Sequence, residues 1–164
     1  MNQMDNYVQI MLDSLAKKSV ILDRLIAANE TQGKLLSDKA NFDDVNWDQF
    51  NIIVLEKEAE INRINEMDEG FQSLFDRVKV QLNEDKDKYA SKIKQMQSLI
   101  TELEQKSIKI RTGEEKNRMA IETLTAGRKQ EIKKVRTSLK VASSYYQTMQ
   151  KSFLFDSSSI DTSK

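Results

Sequence analysis

The sequence has no proline, no cysteine and no histidine among its 164 residues, and only four glycines. An average chain of this length would carry about eight prolines. Their absence removes the strongest breaker of long helices. Without cysteine no disulfide framework can form. Without cysteine and histidine, thiol and imidazole nucleophiles or bases and zinc sites of the usual nitrogen and sulfur kind are excluded. The glycines stand singly at 33, 70, 113 and 127, so no glycine-rich loop cradles a phosphate. An excess of one charge is also missing, with 26 Lys and Arg against 26 Asp and Glu. No global field therefore selects nucleic acid or an anionic membrane. The longest aliphatic run is Ile52-Ile53-Val54-Leu55 and the first basic residue is Lys17. Neither a signal-peptide core nor a span of about 20 apolar residues is present, which reads as a cytoplasmic chain without stable membrane insertion.

What remains is helical periodicity. Val8, Leu15, Leu22 and Leu36 share one seven-residue series interrupted by Asn29, with Leu12 and Ile26 on the same face. This pattern predicts a first helix over 3–37. Residues 37–45 lose the spacing and are rich in turn formers, which predicts a loop. Asn46 followed by Gln49 has the form of a capping box and opens a second helix, expected over 46–83. Its series runs Val54, Ile61, Asp68, Phe75, Leu82 and on through Tyr89, Met96, Leu103, Ile110, Asn117 and Leu124, with Phe50, Ile64, Phe71, Val78, Ile93, Ile100 and Ile121 as companions. The phase changes by one residue across the polar stretch 83–88, which places a turn near 83–86. One continuous helix there is the alternative. Gly113 and Gly127 are further candidate breaks. A third helix is expected over 86–152, followed by a disordered Ser-rich tail at 156–164.

These lengths carry a functional expectation. At ~1.5 Å per residue the first two helices span roughly 50–60 Å and the third roughly 100 Å. The expected fold is all-α, an elongated antiparallel three-helix bundle of coiled-coil type, in one domain over 1–155. Its long C-terminal helix projects beyond the bundle from about residue 124. The projecting part holds Ile132, Val135, Leu139, Ala142, Tyr146, Met149 and Phe153 at alternating spacings of three and four, with Tyr145 beside them. A regular apolar stripe without an internal partner marks a partner-binding surface. Aromatics and methionine suit that use, because they bury large areas and adapt to varied shapes. Folding back on the bundle, or closing a homodimer, are the other uses of such a stripe.

Charge is uneven locally. Residues 47–90 hold six basic and eleven acidic residues, whereas 128–140 hold six basic residues and only Glu131 as an acid. This basic collar, Arg128, Lys129, Lys133, Lys134, Arg136 and Lys140, lacks the clean Leu zipper of a dimeric groove-binding helix and reads as a solubilising face or an electrostatic partner for an acidic helix rather than a nucleic-acid site. The acidic pairs Asp68-Glu69 and Glu114-Glu115 likewise read as solvated faces. Di-metal helical bundles use Glu-x-x-His motifs, and the chain has no histidine. No enzyme activity, cofactor or metal is expected. Asn29 and Asn117 on apolar stripes read as polar residues that fix register, and Trp47 as a cover for the bundle end.

Several stretches carry a resemblance. Leu55-Glu56-Lys57-Glu58 leading to Ile61-Asn62-Arg63-Ile64, then Met67-Asp68-Glu69-Gly70-Phe71, resembles flagellar export chaperones of the FlgN type. So do Gln97-Ser98-Leu99-Ile100, Glu114-Glu115-Lys116-Asn117-Arg118 and Ala142-Ser143-Ser144-Tyr145-Tyr146-Gln147-Thr148-Met149. The resemblance spans roughly residues 8–150. It implies a cytoplasmic all-α chaperone of type III export that binds the terminal helices of hook-associated, hook–filament junction proteins and delivers them to the export gate. In that family the C-terminal part binds the client and presents a tyrosine to the gate, for which Tyr145 and Tyr146 both qualify. A self-associating structural coiled coil, or less readily a nucleic-acid accessory factor using residues 128–140, are the competing expectations.

Overall fold

The computed structural model describes residues 2–126, and every regular element among them is helical. Helix α1 runs Gln3–Leu36, a single 3-10 turn covers Phe42–Asp44, α2 runs Trp47–Glu84 and α3 runs Ala90–Leu124. The ends have local causes. At Asn2 the side-chain oxygen accepts the Asp5 N–H at 2.8 Å and the Asp5 carboxylate accepts the Asn2 N–H at 3.4 Å, a reciprocal cap that satisfies two orphan donors. Ser37 closes α1 by donating its N–H to the Gly33 carbonyl at 3.0 Å, and Asp38 then adopts the left-handed φ of 58° that glycine more often supplies. The expected loop therefore starts where the spacing fails, although its 3-10 turn left no periodic signal.

Asn46 caps α2 by accepting the Gln49 N–H at 3.1 Å, which is one half of the expected capping box. The turn between α2 and α3 falls at 85–89, slightly later than expected, and α3 begins at Ala90 rather than 86. Tyr89 explains the delay: it is buried and its hydroxyl donates to Asp5 at 2.7 Å, so the turn is tied to the start of α1. Gly113 lies inside α3 and breaks nothing.

Cross-helix bonds give the direction of each element. Along α1, Lys18, Arg24 and Gln32 meet Asp68, Glu60 and Lys57, so α2 runs back beside α1. Gln9, Asp23 and Asn29 meet Lys92, Lys106 and Ile110, so α3 runs forward beside it. Helix α1 packs on both neighbours, whereas the α2 and α3 backbones barely approach each other.

The apolar stripes fill the interior between them. Leu22, Leu25, Ile64, Phe75, Met96, Leu103 and Ile110 are fully buried. Each such side chain contributes about 1.5–3 kcal/mol over an exposed one, so the stripes rather than helix propensity decide the fold. A second cluster of Leu36, Val45, Phe50 and Ile121 closes the end where α1 stops and α2 starts. Trp47 seals it, stacked on Phe42 at 4.5 Å, edge-on to Phe50 at 5.2 Å, and donating its indole N–H to the Phe42 carbonyl at 2.8 Å. Leu124 packs on this cluster, so α3 ends level with the start of α2. Thr125 and Ala126 form a turn there. The expected extension of the third helix to 152 and the tail at 156–164 lie outside the described residues.

Candidate functional site

The expected partner-binding residues Ile132, Val135, Leu139, Ala142, Tyr145, Tyr146, Met149 and Phe153 lie outside the described residues, as do Gly127 and the basic collar. Within 2–126 the concentration of chemistry is a buried polar layer near the Trp47 end. One turn of α1 supplies Asn29, Gln32 and Gly33, α2 supplies Lys57, and α3 supplies Gly113, Glu114 and Asn117. The Lys57 ammonium forms an ion pair with Glu114 and donates to the side-chain amide oxygen of Gln32 at 2.9 Å. Gln32 in turn donates to the Phe50 carbonyl at 3.4 Å. Both charged side chains are about nine-tenths buried, so the attraction acts in a low dielectric that also makes an unpaired charge costly.

Asparagine and glycine alternate across the α1–α3 contact. Asn29 donates to the Ile110 carbonyl at 3.1 Å, and Asn117 donates to the Asn29 carbonyl at 3.0 Å. A Cβ on Gly113 would stand 3.3 Å from the Asn29 side chain, and one on Gly33 would stand 3.2 Å from the Asn117 side-chain oxygen. Each asparagine therefore fits over the glycine of the opposite helix. The Asn29 side-chain oxygen is buried without a hydrogen-bond partner. Beside these glycines an open groove of about 560 Å³ runs along the contact of α1 with α3, with Ile26, Leu36 and Ala120 as apolar lining and Lys34, Lys109 and Lys116 among its polar residues.

A second polar layer lies deeper along the bundle. Lys18 donates to Asp68 at 2.6 Å, and the two side chains are 4% and 18% exposed. Burial pushes the Asp68 carboxyl above the ordinary carboxylate range, outweighing the attraction of Lys18, and its second oxygen has no partner. At the far end the Asp5–Tyr89 bond has the opposite effect on its acid: the Tyr89 hydroxyl holds Asp5 low, and the carboxylate pushes the tyrosine up.

This corrects one expectation. Glu69 and Glu115 are exposed, but Asp68 and Glu114 are not solvated surface charges. Asp68 stands on the seven-residue series itself, and Glu114 lies four after Ile110 and seven before Ile121. The same signal was available for the residues the reading missed. Lys18 lies three after Leu15 and four before Leu22, Gln32 seven after Leu25, and Lys57 four before Ile61. A charge at apolar spacing needs a buried counter-charge. Asn29 and Asn117 sit where the series placed them, buried between α1 and α3.

Among the described residues no group of three or more acidic side chains is gathered closely enough to hold a metal ion. None of the described helices is long and apolar enough to cross a membrane. No family model, no curated protein and no solved structure matches the chain.

Proposed function

We propose that the protein is a cytoplasmic chaperone of flagellar type III export, which uses the stripe from Ile132 to Phe153 to hold the terminal helices of a hook–filament junction protein. The observation that carries the reading is how residues 2–126 are built. Their three helices bury their own apolar stripes in two clusters, one of them sealed by Trp47. Beyond them the sequence carries a further stripe of seven apolar residues at helical spacing, Ile132, Val135, Leu139, Ala142, Tyr146, Met149 and Phe153. A further amphipathic stripe rich in aromatics and methionine suits a helical partner. The resemblance to FlgN-type chaperones supplies the class of client and the expectation that Tyr145 or Tyr146 meets the export gate.

In this reading the bundle is the rigid body of an antiparallel, coiled-coil-like chaperone. It prevents aggregation or early assembly of its client, without a cofactor or catalysis. The test is to co-purify the untagged native partner and then compare Tyr146→Ala and Met149→Ala for client affinity by calorimetry and for the melting temperature of the free protein. Loss of more than about 2 kcal/mol of binding, with melting nearly unchanged, is the expected result for interface anchors. Unchanged affinity with a large fall in melting temperature would place the stripe in the core and refute the reading.

A further inference from the structure

Three interhelical lysines of the bundle reach an acid on a facing helix: Lys18 meets Asp68, Lys57 meets Glu114 and Lys106 meets Asp23. Three others do not. Lys34, Lys109 and Lys116 are exposed, all line the groove along the α1–α3 contact, and none has an acid within ion-pair distance among the described residues. Glu30 is the single acid on that lining. The excess of positive charge is local, because residues 1–126 together hold 18 basic and 23 acidic side chains.

The groove also has a defined shape. Gly33 and Gly113 bring no side chain to it, and Ile26, Leu36 and Ala120 form its apolar walls. Its lining runs from Ile26 to Ser37 on α1 and from Lys109 to Ala120 on α3, about 16 Å or three helical turns. Gly113 faces Asn29 and Asn117 faces Gly33, so Lys109 and Lys116 stand level with Leu25 and Gln32 of α1. From Lys109 to Lys34 the cationic residues are thus spread over about 13 Å along the axis. That row is too long for one phosphate or carboxylate. It matches acids two turns apart on a helix laid lengthwise, since Lys109 and Lys116 are themselves seven residues apart. Asn29 borders the groove, is 4% exposed, and has the side-chain oxygen without a partner, so the floor favours an occupant that brings a donor. A nucleic-acid backbone also offers rows of anions. Three lysines on an acidic body, and walls without an aromatic ring to stack a base, favour a peptide.

We propose that this groove takes an acidic amphipathic helix of a partner protein. Its narrow apolar face lies between α1 and α3 along Gly33, Gly113 and Ala120, and its acidic flanks meet Lys34 on one lip and Lys109 and Lys116 on the other. The site is separate from the stripe at 132–153 and does not depend on the chaperone reading.

The probe is a fluorescein-labelled peptide of about 18 residues, long enough to be helical in water, with Ala and Leu on one face and Glu on both flanks. Titrated with the full-length protein and followed by anisotropy, it should bind, and more weakly as salt rises. A counterpart with Lys in place of each Glu should not. Lys109→Glu/Lys116→Glu should weaken binding about tenfold or more, and so should Thr112→Trp, which fills the groove without changing its charge, both with the melting temperature of the parent. Should Thr112→Trp melt lower, Ser37→Trp fills the other end of the same lining. No binding overturns the proposal. Binding indifferent to both kinds of variant places the peptide elsewhere on the chain, such as residues 128–140, and overturns it too. Loss in the lysine variant alone reduces the contact to surface charge, and loss in the tryptophan variant alone removes the acidic partner; either result is a refutation. A single-stranded oligonucleotide of equal charge that binds as tightly, with the same lysine dependence, overturns the proposal in favour of nucleic acid. Tyr146→Ala should leave peptide binding unchanged, whatever it does to client capture, and a loss there would deny that the two sites are separate.

Discussion

Replacing Lys18 by Met tests whether the deeper polar layer is as dry in solution as its geometry requires. The pair is short, at 2.6 Å, and the Lys18 side chain is only 4% exposed. One Asp68 oxygen already lacks a partner. Removing the ammonium leaves a buried carboxylate without its cation, which costs about 3–5 kcal/mol. Against a total stability of about 5–15 kcal/mol this is a large fraction, and at about 2–4 °C per kcal/mol for a chain of this size it lowers the melting temperature by about 6–20 °C. The double variant Lys18→Met/Asp68→Leu removes both charges and should return to within about 1 kcal/mol of the parent or exceed it.

The pH dependence has a definite sign. Burial raises the folded-state pKa of Asp68 above its unfolded value. Ionisation of this group therefore costs stability as pH rises from the unfolded pKa through the folded one, and the cost vanishes in acid. Lys18→Met raises that folded pKa further, so its deficit should be smallest near pH 4.5 and largest at pH 7.5. Urea unfolding followed by circular dichroism at both values, with the denaturant slope constant, reads it directly. A deficit below about 1 kcal/mol at pH 7.5, or one equal at both values, would refute the reasoning.

The glycines should split in sign. No heavy atom lies within 4 Å of a Cβ built on Gly70, so Gly70→Ala should stabilise α2 by about 0.5–1 kcal/mol, whereas Gly113→Leu meets Asn29 at once and should cost about 1–3 kcal/mol or more. Thermal melts of the two variants give the comparison, and equal shifts would mean that α1 and α3 do not approach as described. Tyr89→Phe removes the hydroxyl that holds Asp5 low. A depressed carboxylate contributes stability above its unfolded pKa and loses it as pH falls through the folded pKa. The acid limb of the stability profile should therefore flatten in Tyr89→Phe, and an unchanged limb measured by pH-jump melting would contradict the bond.

The three helices were legible because each stripe is long and repeats without a proline. Helix α1 ends one residue from its expected end, and the missing apolar spacing at 37–45 marked the loop. Finer features had no such signal. The Asn2–Asp5 cap lies before the first apolar repeat, and the shift of the second turn to 85–89 depends on Tyr89 reaching Asp5, a contact 84 residues apart in sequence. The polar layers were half legible. Position along the series placed Asn29 and Asn117 in the interior, and the same rule applied to Lys18, Lys57, Asp68 and Glu114 pairs them, but composition pulled those charges to the surface. The end of α3 at Leu124 was harder still, because residues beyond it continue the helical spacing of apolar residues and only the turn at Thr125 separates them.

Those polar layers do what the stripes cannot. A slip of α3 along α1 by seven residues keeps its apolar series on the core, so hydrophobic burial alone does not forbid it. The slip would set Lys106 or Ala120 where Gly113 stands over Asn29, and Ile110 or Leu124 where Asn117 bonds to α1. A lysine there overpacks the contact, and either apolar residue leaves the Asn29 carbonyl without its side-chain donor, a loss of about 1–3 kcal/mol for a buried group. Helix α2 is held in the same way, since a slip of one heptad separates Lys18 from Asp68 and Lys57 from Glu114 together. The cost of two unpaired buried pairs exceeds any gain from the repeated stripe. Register therefore rests on the charged and amide residues, and through register they set the level at which α3 stops beside Trp47.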